Sequence, residues 1–182
     1  SKTEKEILEF NNELGSNLPY ISENGAAIKG LDILDTNLPK ELILSREKDN
    51  LIKIFEKSVP INLQNQCKWI SKMDKKKQSL IFGLKNKKLN MALDRKYTIP
   101  FVFEGNKSEK NDLSKIVKKK GLALQEGGRV INLTDKVNKG KALQIFVRFF
   151  KKNNNRVKSI AVGDNYNDLD MLKNSDFPCL VF

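Results

Sequence analysis

The stretch Val162-Gly163-Asp164-Asn165-Tyr166-Asn167-Asp168-Leu169 decides the fold, because it joins a strand to a helix through a loop with two aspartates. The mostly apolar run 157–162 predicts a strand that ends at Gly163-Asp164, and a second helix follows the loop. Both carboxylates can therefore face one point beyond the carboxyl end of the strand, where open α/β sheets bind their ligands. Such oxygen ligands suit magnesium better than zinc. An Asn/Asp turn that only caps the helix is the alternative interpretation.

The residues on either side repeat the alternation of helix and strand. An amphipathic helix is predicted over residues 139–152, and one more buried strand over 177–182. At the other end of the chain, Thr3 begins a capping-box pattern at the start of a helix, and residues 18–22 form a short strand before the polar turn 23–25. This pattern predicts an α/β fold with a Rossmann-like parallel sheet and helices on its faces.

The middle of the chain, residues 36–133, has a different character. It contains two amphipathic helical patterns, a predicted strand at 99–104 and a predicted β-hairpin over 122–133. We interpret this part as a separate α+β module inserted into the parallel-sheet domain. The predicted organisation is therefore a core domain in two parts, residues 1–35 and 134–182, with the inserted module between them.

The formal net charge of +12 at pH 7 first suggests a nucleic-acid partner, but the type of basic residue argues against it. The excess is almost all lysine in solvated runs such as residues 75–77 and 118–120, whereas arginine is the residue that usually reads bases. No apolar run has the length of a membrane span, and Cys67 and Cys179 lack the spacing of a disulfide framework or a zinc site. We therefore expect a cytoplasmic protein without nucleic-acid or membrane partners, and its oligomeric state stays open.

Residues 138–143 place a lysine, Lys139, at the start of a predicted helix. A cation at that end opposes the helix dipole by roughly 0.3–1 kcal/mol, so the position is more favourable if an anion lies beside it. Lys139 is therefore a candidate partner for a phosphate or a carboxylate. In so lysine-rich a chain, a solvated surface lysine is the alternative interpretation.

Lys139 and the acidic motif at 164–168, in this order, resemble the last two signature motifs of the haloacid dehalogenase superfamily. The resemblance implies that Lys139 is the catalytic lysine that neutralises charge and that Asp164 is the catalytic magnesium ligand, with Asn167 and Asp168 as further residues of the metal site. It implies Mg²⁺ as the cofactor, and a phosphoryl transfer in which one aspartate attacks phosphorus while another acts as general acid and base.

The resemblance extends through most of the chain and narrows to a subgroup. Residues 21–28 look like the loop of members with the larger α/β cap, and residues within 83–105 and 127–129 resemble the cap of the mannosyl-3-phosphoglycerate phosphatases. Ile99 and Asn138 stand where that group usually has acidic residues, which leaves the sugar open. The two cap arginines could clamp a glycerate carboxylate, and a salt bridge inside the cap is the alternative. By this resemblance the substrate-binding residues are Asn24, Gly25, Arg95, Gly128 and Arg129.

The resemblance implies a phosphomonoester hydrolase that converts a glycosyl-3-phosphoglycerate, mannosyl or glucosyl, into phosphate and glycosylglycerate, a compatible solute. Another sugar-phosphate phosphatase, for example one acting on sucrose phosphate, and a non-catalytic sugar-phosphate-binding protein are the alternatives. The family carries its nucleophile in an Asp-x-Asp motif on an earlier strand, so the resemblance implies a strand–helix–strand unit of roughly thirty to forty residues before Ser1. Without that unit we expect residues 1–182 to be catalytically inert.

Overall fold

The computed structural model describes residues 2–153 and 156–181, and the chain divides into two compact units. The first unit comprises Ser1–Leu44 and Val137–Phe182, and the second comprises Ser45–Lys136. Within the described ranges, no helix is long and apolar enough to cross a membrane.

The helices of the described chain are, in order, α1 (Glu4–Glu13), α2 (Lys48–Ser58), α3 (Ile61–Asn65), α4 (Lys75–Phe82), α5 (Asn86–Leu93), α6 (Lys107–Lys119), α7 (Lys139–Asn153) and α8 (Leu169–Lys173). The strands are, in order, β1 (Tyr20–Ser22), β2 (Ala27–Lys29), β3 (Glu41–Ile43), β4 (Cys67–Trp69), β5 (Ile99–Phe103), β6 (Leu122–Glu126), β7 (Ile131–Asp135), β8 (Ile160–Gly163) and β9 (Phe177–Leu180). Short 3-10 turns lie at Glu23–Gly25, Leu31–Ile33, Ile70–Lys72 and Tyr166–Asp168.

The N-terminal part of the first unit contains α1 and a small antiparallel sheet of order β1-β2-β3. The predicted capping box starts α1, since the Glu6 N–H donates to the Thr3 hydroxyl at 3.3 Å and the Thr3 N–H donates to the Glu6 carboxylate at 2.8 Å. Lys29 on β2 joins these elements, because its ammonium lies 2.8 Å from Glu4 on α1 and 3.0 Å from Glu41 on β3. The predicted helix and strand are confirmed, and the short turn after β1 makes this sheet antiparallel.

The C-terminal part of the first unit contains the strand and helix that the acidic motif predicts. β8 and β9 are parallel, with Ile160 opposite Phe177 and Gly163 opposite Leu180, and α8 lies in the connection between them. The predicted parallel α/β arrangement is confirmed in this part. Because β8 ends at Gly163, the loop with the two aspartates begins at the carboxyl end of a strand.

The second unit is a four-stranded antiparallel sheet of order β4-β5-β7-β6. Trp69 on β4 lies edge-on to Phe55 and Phe101, with ring centroids 5.1 and 5.3 Å apart. The α+β character and the hairpin of residues 122–133 are confirmed. The apolar core between the sheet and helices α2 and α6 includes Leu51, Phe55, Phe101, Leu113, Val117, Leu122 and Leu133.

The structure places the two boundaries between the units after Leu44 and Lys136, rather than after positions 35 and 133. At the first boundary, β3 pairs with β2, and the Leu44 N–H still donates to the Ala26 carbonyl at 2.8 Å. At the second, β7 extends to Asp135, whose carboxylate accepts hydrogen bonds from two guanidinium nitrogens of Arg46 at 2.7 and 2.8 Å. Arg46 and Asp135 therefore join the points where the chain enters and leaves the second unit.

Candidate active site

The start of α7 lies against the turn between β1 and β2. The Asn138 side chain caps α7, because its Oδ1 accepts the Lys141 N–H at 2.8 Å. Gly25 in the turn has a φ of +92°, and a Cβ on it would collide with the Asn138 carbonyl. Only glycine therefore lets the turn approach α7 this closely. Asn24, the residue before it, is buried with a φ of 62°, so both residues belong to the packing that positions Lys139.

Lys139, the first residue of α7, forms an ion pair with Asp168. Its Nζ donates to Oδ1 of Asp168 at 2.6 Å, and the two side chains are only 19% and 9% exposed. The Asn165 N–H donates to the other carboxylate oxygen, Oδ2, at 3.2 Å. The anion expected beside a lysine at this end of a helix is therefore a carboxylate of the acidic motif.

Asp168 reaches this position because Gly163 has no side chain. A Cβ on Gly163 would lie 2.5 Å from Cβ and 3.0 Å from Cγ of Asp168. Burial raises the pKa of the Asp168 carboxyl. The hydrogen bond and charge of Lys139, together with hydrogen bonds from the N–H groups of Asp164 and Asn165, lower it by more. The pKa is lowered as a result, so Asp168 is an anion at neutral pH and a fixed counter-ion for Lys139.

Asp164 and Asn167 supply further oxygen atoms in the same loop. Asp164 directly follows β8 and is exposed. Oδ1 of Asn167 is buried and has no hydrogen-bond partner within residues 2–153 and 156–181, which favours a cation or a water molecule as its partner. The same ranges contain no group of three or more His, Cys, Asp or Glu side chains that could hold a metal. The oxygens of Asp164 and Asn167 are of the kind that suits a magnesium ion with several water ligands.

Two of the predicted substrate-binding residues, both arginines, have local partners in the second unit. Arg95 is 8% exposed, and its Nε and Nη1 donate to the Ala92 carbonyl and the Thr98 hydroxyl, each at 3.0 Å. Arg129 is exposed and donates from Nη1 to the carbonyl of Phe82, the last residue of α4. Both side chains thus contribute to the structure of this unit, and their role as a carboxylate clamp stays a prediction.

The predicted site residues fall into two groups. The first unit contains Asn24, Gly25, Lys139, Asp164, Asn167 and Asp168, and the second contains Arg95, Gly128 and Arg129. Gly128 lies in the exposed turn of the β6–β7 hairpin. Asn138 and Gly163 belong to the site but had no role assigned from the sequence. Each has a local signal, since an Asn precedes the helix of Lys139 and a Gly precedes the aspartate at the strand end.

Comparison with known proteins relates this arrangement to an enzyme family. The profile of a family described as haloacid dehalogenase-like hydrolase matches residues 2–181. A glucosyl-3-phosphoglycerate/mannosyl-3-phosphoglycerate phosphatase of Persephonella marina is 32% identical over 191 residues, which cover 100% of this chain and 70% of that protein. A mannosyl-3-phosphoglycerate phosphatase of Pyrococcus horikoshii is 27% identical, with 95% and 71% covered. A solved haloacid dehalogenase-like hydrolase from B. subtilis has a TM-score of 0.58 at 16% identity, with 96% of this chain and 72% of that one covered.

Proposed function

The chain belongs to the haloacid dehalogenase-like hydrolases, and we propose that it serves as a magnesium-dependent phosphomonoesterase for glycosyl-3-phosphoglycerates. The resemblance to this family and the assignment to its phosphatases are confirmed by the family profile and the phosphatase relatives. The products are phosphate and a glycosylglycerate, mannosyl or glucosyl. The observation that carries the proposal is the largely buried pair between Lys139, the first residue of α7, and Asp168 in the loop after β8.

Lys139 is proposed to neutralise charge on the phosphoryl group. An ammonium has three N–H donors, and Asp168 takes one of them, which leaves two for phosphoryl oxygens. Because the pair is largely buried, Nζ is held in place before the substrate arrives. A cation that is already oriented stabilises developing negative charge without reorganisation. The start of α7 adds the positive end of the helix dipole to the same place.

Asp164 and Asn167 are the residues proposed to hold Mg²⁺. When bound, the ion neutralises charge on the phosphoryl group. The two oxygens of Asp168 already accept hydrogen bonds from Lys139 and from the Asn165 N–H. We therefore assign direct coordination to Asp164, and we assign Asp168 the positioning of Lys139.

The proposed reaction follows the chemistry that the family resemblance implies. A carboxylate of the Asp-x-Asp motif forms a bond to phosphorus while the bond to the glycerate oxygen breaks, and that oxygen takes a proton from the second aspartate of the motif. Water then attacks phosphorus and gives up a proton to the same aspartate, while the bond between phosphorus and the first carboxylate breaks and phosphate leaves. The residues described above contribute positioning and charge neutralisation to both steps.

Two measurements on the full-length protein test the proposal. Phosphate release should be fastest, by kcat/KM, from mannosyl- or glucosyl-3-phosphoglycerate, and slower from sucrose 6-phosphate and p-nitrophenyl phosphate. Asp164→Asn should strongly weaken Mg²⁺ binding in a direct titration, whereas Asp170→Asn, an exposed aspartate of α8, should not. A preference for sucrose 6-phosphate would favour the alternative substrate, and unchanged Mg²⁺ affinity in Asp164→Asn would contradict the metal site.

A further inference from the structure

A cavity of about 300 Å³ lies within the second unit. Known ligand pockets begin at roughly this size and extend to about 1,000 Å³. No acidic side chain lines the cavity. Its polar lining residues are Lys48, Ser71, Lys75, Gln78, Arg95 and Thr98, and the remaining lining is apolar.

The cavity borders the beginning of β5. β4 ends at Trp69, opposite Phe101, so Ile99 and Pro100 have no partner in β4. On its other side this part of β5 pairs with β7. Proline suits a position without a strand on one side because it has no N–H to donate. β4 therefore does not pair with this end of β5, and Ile99 and Pro100 both line the cavity.

Gln78 provides a hydrogen-bond acceptor in the cavity wall. The residue is 5% exposed, and its Nε2 donates to the Ile70 carbonyl at 2.9 Å, which fixes the orientation of the amide. Its Oε1 is buried and has no partner among the residues that the structure describes. A buried acceptor without a donor is unfavourable. A ligand hydroxyl that donates to this oxygen would remove that cost, so the ligand would bind more tightly than one without the hydroxyl.

Two lysines give the cavity a positive rim. Lys48 is the first residue of α2 and Lys75 the first residue of α4, and both are exposed. A cation at the start of a helix opposes the helix dipole, as it does at Lys139. The ammonium of Lys48 has no ion pair or hydrogen bond to any side chain that the structure describes, and that of Lys75 donates to Asn90 Oδ1 at 3.0 Å.

We infer that this cavity is a binding site for a small hydroxylated carboxylate. The carboxylate would bind to Lys48 and Lys75, and a hydroxyl would donate to Oε1 of Gln78. Both the location and the ligand class rest on the cavity, whose lining offers lysines to an anionic group and one acceptor to a hydroxyl. The glycerate part of the proposed substrate is a different group, because its 2-oxygen carries the sugar and its 3-oxygen carries the phosphate, so it has no hydroxyl to donate.

Calorimetric titration of the full-length protein with three probes tests the ligand class. D-glycerate carries both the charge and the hydroxyls, propionate lacks the hydroxyls, and glycerol lacks the charge. We expect D-glycerate to bind at least roughly ten-fold tighter than either of the others. Equal affinities for D-glycerate and propionate would overturn the role of Gln78 and with it the inference.

Exposed lysines of the same helices provide matched controls for the location. Lys48→Met and Lys75→Met should each weaken D-glycerate binding roughly ten-fold, and Lys48→Arg should retain it. Lys53→Met on α2 and Lys76→Met on α4 should have no effect, because neither residue lines the cavity. Equal losses in the cavity variants and the controls would overturn the inference.

Activity assays on the same variants separate this inference from the proposed function. If D-glycerate binding depends on Lys48 but the protein hydrolyses no glycosyl-3-phosphoglycerate, the site stands and the proposed function fails. If hydrolysis proceeds and D-glycerate binding is unaffected by Lys48→Met and Lys75→Met, only the inference fails.

Discussion

Two ion pairs, one in each unit, use an aspartate in different ways. In the second unit, Asp135 accepts two bonds from the Arg46 guanidinium at 2.7 and 2.8 Å and a third from the Arg46 N–H at 2.9 Å. In the first unit, Lys139 and Asp168 meet through one hydrogen bond at 2.6 Å. The bidentate pair uses the planar geometry of arginine, whereas the lysine retains two N–H donors. The first arrangement is suited to holding a fold, and the second to holding a cation ready for a substrate.

The surroundings of the two pairs also suit one pair to stabilising the fold and the other to a functional site. Arg46 and Asp135 lie next to the first and last residues of the second unit, so this strong pair holds the two ends of the unit together. Lys139 lies where the helix dipole opposes it, and Gly25 and Gly163 are needed for the close packing around it. A local arrangement that is unfavourable by itself, yet closely packed, is more typical of a functional site than of a stabilising one.

Breaking the pair in the first unit should give the largest effect. In the full-length protein, Lys139→Met is expected to lower kcat by at least roughly a hundred-fold, because a charge-stabilising donor is lost. The variant also leaves Asp168 as a largely buried anion without its cation, so the free energy of unfolding should fall by about 1–3 kcal/mol. Lys141→Met, an exposed lysine of the same helix, should change neither quantity.

A double variant separates the two losses. Lys139→Met combined with Asp168→Asn removes both charges, so it should regain much of the lost stability while kcat stays low. If the double variant regains activity together with stability, Lys139 has a structural role only, and the contrast between the two pairs disappears.

The signals that the sequence predicted correctly are local ones. An apolar run followed by Gly-Asp and a helical pattern predicted the strand and helix around 162–169, and β8 and α8 are found there. The predicted boundary at position 35 differs from the division after Leu44, because β3 has only three residues and is recognisable only by its pairing with β2. A strand this short has too few residues for an alternating pattern.

The partners of charged residues were the part that the sequence did not reveal. Motif order identified Lys139 and Asp168 as site residues, but their mutual bond spans 29 positions. The bond between Arg46 and Asp135 spans 89 positions and follows no motif. Arg95 was a candidate for substrate binding, and its burial and its bond to Thr98 could be seen only in the folded unit. Such contacts depend on tertiary packing rather than on any periodicity along the chain.

The pair in the second unit should make stability depend on pH. Hydrogen bonds from Arg46 lower the pKa of Asp135 from its ordinary value of 3.8 to about 2. As the pH falls, the unfolded chain takes up this proton before the folded one, so the stabilisation is present above about pH 4 and is lost between about pH 4 and pH 2. It amounts to about 2 kcal/mol. Urea unfolding at several pH values, followed by the fluorescence of Trp69, the single tryptophan, measures this unit.

Two substitutions assign that pH dependence to the pair. Asp135→Asn should flatten the dependence below pH 4, since the variant has no carboxyl group to protonate. Asp112→Asn, which removes an exposed pair with Lys115, should keep the slope of the unmodified protein. Parallel curves for Asp135→Asn and the unmodified protein would contradict the assigned role of Arg46.

The smallest effect is expected at Arg129, where a guanidinium in the second unit could serve the fold, the substrate or both. Its Nη1 donates to the Phe82 carbonyl, and a Cβ on Gly83, whose φ is +65°, would lie 2.5 Å from that nitrogen. The guanidinium therefore covers the end of α4, a position where a cation contributes less than about 1 kcal/mol.

Arg129→Ala should lower the free energy of unfolding by no more than that amount, so its kinetic effect can be read without a folding defect. If Arg129 also binds the glycerate carboxylate, KM should rise roughly ten-fold for a glycosyl-3-phosphoglycerate and stay unchanged for p-nitrophenyl phosphate. Equal changes in KM for both substrates would mean that Arg129 stabilises the end of α4 and does not bind the glycerate carboxylate.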